Sequence, residues 1–218
     1  MDNSNRPDLR AYIGATGSGK GVSIREHLDK LKPPRRVFWD PLGEYGSYGK
    51  TVTTIKALCE ALKADKFAVC FWPGPNAQDF AGKFDLFCRA VFSAGNCFVH
   101  IEELNDVTTP THAPPAWRRI SKQGRHQGLS VCVGTQRPAD CDKAFMSGVT
   151  YVRVFTMRFK KDKQVMAELL DLEYKDMQDL STVETETATT VTTVINCYER
   201  DFRTGQRGPK TITLTRKK

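Results

Sequence analysis

The chain has 218 residues, which is enough for one well-buried α/β domain and too few for two full ones. Its hydrophobic content of 39% and charged content of 27% are ordinary for a globular protein, and no run approaches the roughly 18 apolar residues of a membrane span. The start of the chain has no signal-peptide core, and the seven scattered cysteines suit a reducing compartment. The net charge of +8 is unevenly placed along the chain.

The first predicted elements surround a glycine-rich segment. A short apolar strand over residues 9–13 leads to this segment, and an amphipathic helix is predicted over residues 22–31. A strand, a glycine-rich loop and a helix in this order predict a phosphate-binding loop, whose backbone amides and helix N-terminus hold phosphate oxygens while Lys20 reaches the β- and γ-phosphates. The predicted nucleotide-binding residues are Gly14, Ala15, Thr16, Gly17, Ser18, Gly19, Lys20, Gly21 and Val22.

One position of this loop departs from the usual pattern. A Ser or Thr that binds magnesium normally follows the lysine, but here the residue is Gly21, and Ser23 comes two positions late. We therefore expect magnesium to be held through water or by another group that replaces the hydroxyl.

Strands and helices alternate in the prediction up to about residue 180. Continuous apolar runs indicate buried strands, and apolar residues at helical spacing indicate helices. This alternation predicts an α/β fold with a mostly parallel, doubly wound sheet. The further predicted strands are 35–40, 67–72, 96–101, 129–134 and 151–155, and the further predicted helices are 54–62, 80–91, 117–127 and 163–172.

The C-terminal part of the chain has a different composition. Residues 181–193 are nearly all Ser, Thr and Glu, which indicates an exposed loop or a mobile edge. Strands at 191–198 and 211–215 are predicted to form a β-hairpin that is added to the sheet and carries a basic tail. We expect residues 1–8 to be flexible and residues 1–218 to form a single domain.

Two carboxylates, Glu102 and Glu103, directly follow the predicted strand 96–101. In an open α/β sheet the ligand lies at the carboxyl ends of the strands. Nucleotide hydrolysis needs one acid that organises magnesium and one that orients or deprotonates the attacking water. We assign Glu102 to magnesium, either directly or through water, and Glu103 to the water.

Gln136 follows the next predicted strand and is expected at the same edge of the sheet. Its amide can hydrogen-bond a phosphate and a water together, which suits a sensor of the γ-phosphate. Upstream, Arg125 is predicted to stabilise the transition-state charge in the site of a neighbouring subunit. Arg119 and Arg137 are competitors that spacing does not separate from it.

Positive charge is concentrated in two segments. Arg118, Arg119, Lys122 and Arg125 have no acidic residue between them, and residues 198–218 contain seven basic residues against two acids. Next to a nucleotide site, such segments favour a polyanionic partner, and we predict that Arg118, Arg119 and Lys122 contact DNA.

Four segments, in chain order, resemble the FtsK–HerA superfamily of DNA-pumping ATPases. The segments Asp40-Pro-Leu-Gly-Glu44-Tyr45 and Gly124-Arg125 through Thr135-Gln-Arg-Pro138 are the discriminating ones, because phosphate-binding loops occur in many families. The other two segments are residues 14–20 and 101–103, and the resemblance extends over residues 9–160.

The resemblance implies a RecA-like P-loop ATPase with ATP and Mg²⁺ as cofactors. A bare motor of this size looks most like the genome-packaging ATPases of tailless, internal-membrane double-stranded DNA viruses. Such a protein would form a ring of five or six subunits that pumps double-stranded DNA into a procapsid, in the host cytoplasm or at a packaging vertex of the virion. Its partners would include capsid vertex or viral membrane proteins, and it would have no membrane span of its own.

Other functions remain open at this point. A HerA-like helicase or DNA-transfer ATPase would use the same residues on another cargo. A small-molecule (nucleotide) kinase is favoured by Gly21, because adenylate-kinase-like enzymes also place Gly after the loop lysine, but it does not normally need the strand-end glutamates or a sensor glutamine. A nucleotide-gated docking protein with slow hydrolysis is the third alternative.

Overall fold

The structure, a computed structural model, describes residues 6–218. The segment expected to be flexible, 1–8, therefore lies mostly outside the described residues, and its last residue already begins the first strand. The strands are β1 (Asp8–Ile13), β2 (Arg35–Trp39), β3 (Lys50–Val52), β4 (Phe67–Phe71), β5 (Phe98–Ile101), β6 (Ser130–Thr135), β7 (Tyr151–Val154), β8 (Ser181–Glu186), β9 (Thr190–Asp201) and β10 (Arg207–Lys217). The α-helices are α1 (Lys20–Leu31), α2 (Ile55–Leu62), α3 (Phe80–Ala94), α4 (Pro115–Gln123), α5 (Lys143–Gly148), α6 (Lys160–Leu170) and α7 (Tyr174–Gln178).

All of these strands belong to one sheet, in the order β10-β9-β7-β1-β6-β5-β2-β4-β3, with β8 paired to β9. Strands β1 to β7 pair in parallel, whereas β9 runs antiparallel to β7, β8 and β10. The prediction of a mostly parallel α/β sheet that ends in a C-terminal hairpin is thus confirmed.

Strands β1, β6 and β5 are neighbours at the centre of the sheet and end together. Ile13 pairs with Thr135, and Ile101 pairs with Val133 on the other side of β6. The segments that follow these three strands therefore emerge side by side at one edge. This register is what brings the phosphate-binding loop, the two glutamates and Gln136 together.

The sheet is covered on both faces because side chains alternate along each strand. Val37 and Trp39 of β2 face the larger core, which includes the buried side chains of α2 to α7. Phe38, between them, faces the second core, where Ile24 and Leu28 of α1 pack. Helices on both faces of a parallel sheet make the fold doubly wound.

Residues 181–193 were predicted as an exposed loop or a mobile edge, but the loop is confined to residues 187–189, because β8 ends at Glu186 and β9 begins at Thr190. Ser181–Glu186 form β8, which pairs antiparallel with residues 191–196 of β9. Thr and Val favour the extended conformation, and the long β9 offers an edge for pairing. Strand β8 was not predicted because its residues Val183 to Glu186 are exposed. The segment therefore lacks the alternation of apolar and polar residues that is typical of a half-buried strand.

Three short elements, β3, α5 and α7, were not predicted, and α4 starts two residues earlier than expected because Pro115 occupies a favourable first helical position.

No helix in the described part of the chain is long and apolar enough to cross a membrane.

Candidate nucleotide-binding and catalytic site

The glycine-rich loop lies between β1 and α1 and is anchored to the neighbouring strands. The backbone N–H of Gly14 donates to the Thr135 carbonyl at 3.1 Å, and that of Ala15 donates to the Thr156 carbonyl at 2.9 Å. Gly19 has φ 103°, a left-handed conformation that favours glycine, and no side chain caps the N-terminus of α1. The first amides of α1 are therefore free to bind an anion, as a phosphate site requires.

Lys20, the first residue of α1, lies buried between the two glutamates. Its Nζ is 2.8 Å from Glu102 Oε1 and 2.7 Å from Glu103 Oε1. Burial alone would lower the pKa of Lys20, but the charges and hydrogen bonds of Glu102 and Glu103 outweigh it and raise the pKa. Lys20 is therefore an ammonium ion at neutral pH, as binding to phosphate requires.

Glu102 is fixed by donors from three different elements. Its Oε2 accepts a hydrogen bond from the Tyr45 hydroxyl at 3.0 Å and lies 2.8 Å from His100 Nε2, while Oε1 faces Lys20. Burial would raise the pKa of Glu102, but the bond from His100 and the charge of Lys20 together lower it to about 2. This carboxylate remains ionised across the physiological range despite being 3% exposed.

The Asp40–Tyr45 segment, which carries part of the family resemblance, shapes the environment of Glu102. The Asp40 carboxylate accepts the backbone N–H groups of Glu44 and Tyr45, both at 2.9 Å. This closed turn places the centroid of the Tyr45 ring 4.5 Å from that of the His100 ring, and the Tyr45 hydroxyl donates its hydrogen bond to Glu102. The motif was recognised in the sequence, but no role was predicted for Tyr45. Tyr45 and Glu102 are 57 residues apart in sequence and meet because β2 and β5 are neighbours in the sheet. The sequence patterns did not reveal that the two strands are neighbours.

Glu103 has a strained backbone that aims its side chain into the site. Its φ of 52° is left-handed, which costs a residue with a side chain on the order of 1 kcal/mol. Glu103 Oε2 accepts the Gln136 backbone N–H at 3.1 Å, and Oε1 accepts Gln136 Nε2 at 2.7 Å. The Thr16 hydroxyl donates to Gln136 Oε1 at 2.8 Å. One hydrogen-bonded chain thus joins the phosphate-binding loop, Gln136 and Glu103.

The absence of a hydroxyl at position 21 is not compensated by the nearby serine. Ser23 is buried, and its Oγ accepts a hydrogen bond from Arg153 Nη1 at 3.1 Å on the sheet side of α1. Within residues 6–218, no group of three or more His, Cys, Asp or Glu side chains could hold a metal by itself. Mg²⁺ in nucleotide sites needs only one or two carboxylates, with water and phosphate oxygens as the other ligands. The ionised Glu102 fits that requirement.

A cavity of about 460 Å³ opens above these residues, within the size range of small-molecule sites. Its floor is the phosphate-binding loop with Lys20, Glu102, Glu103 and Gln136. The C-terminal strands supply another wall of the cavity, which no sequence pattern connected with the site. The residues of that wall are Thr182, Glu184, Thr193, Ile195, Leu214, Thr215 and Arg216.

Arg125 lies at the opposite edge of the sheet from this cavity. It is exposed, precedes β6, and lines a separate cavity of about 940 Å³ together with Arg6 and Arg203. A strand of the length of β6 spans about 17 Å, so Arg125 does not reach the phosphate-binding loop of its own chain.

The two competing arginines are engaged within the chain. Arg137 pairs with Asp162 at 3.0 Å and with Asp140 at 2.8 Å. The Arg119 guanidinium lies over the Phe92 ring, 4.4 Å from its centroid. Arg125 is the least constrained of the three, since its only side-chain bond in the described residues is a 3.4 Å contact with His126.

The predicted DNA-contacting residues lie on the outer face of α4. Trp117 and Ile120 are buried, whereas Arg118, Arg119 and Lys122 are exposed. The basic tail is different, because most of its cations have acidic partners within residues 6–218. Those pairs are Arg203–Asp201, Arg207–Asp171, Lys210–Glu199, Arg216–Glu184 and Lys218–Glu186. The free positive charge is therefore on α4 more than on the tail.

Comparison with known proteins gives one curated relative and many similar structures. No family model matches the chain. Protein P9 of Pseudoalteromonas phage PM2 is 29% identical over 177 residues, which covers 78% of each protein. The genome packaging NTPase B204 from Sulfolobus turreted icosahedral virus 2, in complex with AMPPCP, superposes with a TM-score of 0.72 at 18% identity, over 93% of this chain and 96% of that one.

A second solved structure extends the comparison beyond viruses. VirB4 of Thermoanaerobacter pseudethanolicus has a TM-score of 0.57 at 12% identity, over 98% of this chain and 92% of that one. The fold implied by the resemblance of the four sequence segments is thereby confirmed: the chain has the P-loop NTPase fold of these proteins.

Proposed function

We propose that this protein is an ATP-hydrolysing DNA translocase that packages a double-stranded DNA genome into a procapsid. The observation that carries the proposal is the buried network of Lys20, Glu102, Glu103 and Gln136 at the edge of the sheet where nucleotides bind. The similarity of the fold to a viral genome packaging NTPase supports the choice of cargo.

The network suggests how each residue acts on ATP. Lys20 and the amides at the start of α1 would bind the phosphate oxygens, and Glu102 would hold Mg²⁺, either directly or through water. The bound ion would neutralise charge on the phosphates. Lys20 turns toward the phosphates, which leaves Glu103 free to accept a proton from the attacking water.

Gln136 would report the state of the nucleotide. It already bonds Glu103 and Thr16 at once, so replacing one partner by the γ-phosphate changes its hydrogen bonds. Loss of that phosphate on hydrolysis reverses the change. The sensor residue thereby transmits hydrolysis to β6 and to the chain around it.

DNA binding and ring formation form the second part of the proposal. The exposed cations Arg118, Arg119 and Lys122 would contact DNA phosphates. Arg125, which is remote from its own site, would complete the nucleotide site of the next subunit in a ring of five or six. Capsid vertex or viral membrane proteins are the further partners we propose.

The same observations give less support to two alternative functions. A HerA-like helicase or DNA-transfer ATPase would use the identical network and would differ only in its cargo. A nucleotide kinase is favoured by Gly21 alone. Such an enzyme has no need for a glutamate that is held in a left-handed conformation against a sensor glutamine.

The test is the rate of ATP hydrolysis by the purified protein, alone and with double-stranded DNA, single-stranded DNA or nucleoside monophosphates. We expect stimulation by double-stranded DNA and none by monophosphates, with loss of activity in Lys20→Ala. Lys30→Ala, an exposed change on the same helix, is the matched control. Phosphate transfer to a monophosphate would instead establish a kinase.

A paired variant tests the DNA contact. Removing Arg118 and Lys122 should reduce DNA-stimulated hydrolysis and flatten the salt dependence of DNA binding by about one unit of slope per lost phosphate contact, while basal hydrolysis stays near wild type. DNA affinity that is unchanged across a salt titration would exclude α4 as the DNA-binding surface.

A further inference from the structure

The three C-terminal strands β8, β9 and β10 form an extension that packs directly on the phosphate-binding loop. The Thr182 hydroxyl donates to the Ser18 carbonyl at 3.2 Å. A Cβ placed on Gly19 would lie 2.6 Å from Ile195 Cδ1, so the loop and β9 are in van der Waals contact. Arg153 ties the two together further, because it bonds Ser23 of α1 at 3.1 Å and Glu199 of β9 at 2.8 Å.

The inner face of this extension is defined by strand register. Thr193 pairs with Glu184 on one side and with Leu214 on the other, while Ile195 pairs with Thr182. Arg216 is two residues beyond Leu214 and therefore lies on the same face. All of these residues line the 460 Å³ cavity, and Lys20 lines it as well.

Arg216 is the cation of this inner face. Its Nη2 lies 3.1 Å from Glu184 Oε1, and both side chains are largely exposed, at 75% and 54%. An exposed ion pair of this kind is weak, so a stronger anion can replace the carboxylate at little cost. The phosphates of a nucleotide accept paired hydrogen bonds from a guanidinium in a fixed geometry.

We propose that Arg216 is a nucleotide-binding residue that leaves Glu184 for the phosphates of bound ATP, so that the C-terminal extension closes on the nucleotide. The inference rests on the proposed ATP binding and deepens it. It adds a nucleotide contact from β10, an edge strand of the sheet and the strand that is farthest in sequence from the phosphate-binding loop. It also makes Glu184 a competitor for Arg216, which holds the cation when no nucleotide is present.

The chain offers a matched control on the same face. Lys218, directly after β10, and Glu186 of β8 form an equivalent ion pair at 2.6 Å, each two residues beyond its counterpart in the Arg216–Glu184 pair, and neither residue is among those that line the cavity. A change in that pair alters the charge of the extension by the same amount without touching the proposed contact.

The experiment is titration of the protein with a fluorescent ATP analogue at fixed magnesium and salt. Arg216→Ala should weaken binding about tenfold, as expected for one lost charge-assisted bond, and Arg216→Lys should restore part of the affinity. Glu184→Gln should strengthen binding about threefold, because it releases Arg216. In the Arg216→Ala background, Glu184→Gln should have no effect, and Glu186→Gln should match wild type.

Any other outcome of the titration contradicts either the inference about Arg216, the exchange of its partners or the proposed function. If wild type binds ATP and neither Arg216→Ala nor Glu184→Gln changes the affinity, the inference is wrong while the proposed function stands. If Glu184→Gln has the same effect with and without Arg216, the exchange of partners is wrong. Failure of the wild-type protein to bind any nucleotide overturns both this inference and the proposed function. Melting temperatures near wild type, expected for such exposed residues, show that the variants are folded.

Discussion

Glu102 and Glu103 are adjacent in sequence, yet their surroundings differ in a way that separates their roles. Glu102 is held by Tyr45 and His100, whereas Glu103 faces Gln136 and the phosphate-binding loop. The fixed Glu102 carboxylate suits the proposed metal ligand, and the Glu103 carboxylate, which is linked to Gln136, suits the proposed group that acts on water. The pair of carboxylates could be predicted from sequence, but the left-handed backbone that aims Glu103 could not, because no local pattern marks it.

Replacing each glutamate by glutamine should therefore give different defects. Glu103→Gln should retain ATP binding and lose at least about 100-fold in turnover, the usual contribution of a general base. Glu102→Gln should raise the Mg²⁺ concentration needed for half-maximal hydrolysis. Steady-state rates across a magnesium titration measure both effects, with the exposed Glu60→Gln as control. Normal turnover in Glu103→Gln together with an inactive Glu102→Gln would show that the roles are reversed.

His27 gives the molecule a defined dependence of stability on pH. Burial, and then the nearby charge of Arg10, lower the pKa of His27 to about 4 from its ordinary 6.5, and its Nε2 has no hydrogen-bond partner among residues 6–218. The folded state therefore favours the neutral ring. Its contribution to stability is fully present above pH 6.5 and is lost as the pH falls from 6.5 toward 4.

Melting temperature measured between pH 7 and pH 4 tests this dependence. His27→Gln cannot titrate in that range, so its melting temperature should fall less steeply on acidification than that of wild type. His112→Gln removes an exposed histidine and should keep the wild-type slope. Parallel curves for wild type and His27→Gln would contradict the argument.

At the scale of elements, strands with a continuous apolar run were predictable, whereas the short β3 and the polar β8 were not. Strands β4 and β6 are continuous apolar runs because both faces of the sheet are covered. Strand β8 is polar and largely exposed, so its position depends on pairing with β9, a contact that its own residues do not reveal. For the same reason, the C-terminal wall of the nucleotide cavity could not be inferred from composition.

The close approach of β6 to the site gives a test of packing at this scale. A Cβ at Gly134 would lie 2.8 Å from Glu102 Oε2, and Glu102 cannot move without breaking its bonds to Lys20, Tyr45 and His100. Gly134→Ala should therefore destabilise the protein by about 1–3 kcal/mol and weaken hydrolysis.

Chemical unfolding measures the effect of Gly134→Ala, and helix α3 supplies the control. A Cβ at Gly82 meets no atom within 4 Å, so Gly82→Ala should be neutral or stabilising, since alanine favours the helix by up to about 1 kcal/mol. If Gly134→Ala were as stable as wild type, Glu102 would have to be less constrained than its hydrogen bonds indicate.

At the scale of the whole molecule, the nucleotide site and Arg125 occupy opposite edges of the sheet. A ring would join these edges between neighbours. Mixing Arg125→Ala subunits with Lys20→Ala subunits should restore part of the activity, because some interfaces then combine an intact Lys20 with an intact Arg125. The measurement is the ATPase rate at varied mixing ratios, with mixed assembly verified by differential tagging. No rescue at any ratio would argue against a shared site.

The most direct test of the central claim is whether ATP hydrolysis moves the protein along double-stranded DNA. In a triplex-displacement assay, a labelled third strand on a DNA duplex is released when a translocating protein reaches it. We predict release that requires ATP and is abolished in Glu103→Gln, which should still bind ATP. Hydrolysis that proceeds on the same DNA without displacing the third strand would contradict translocation and leave only an ATPase.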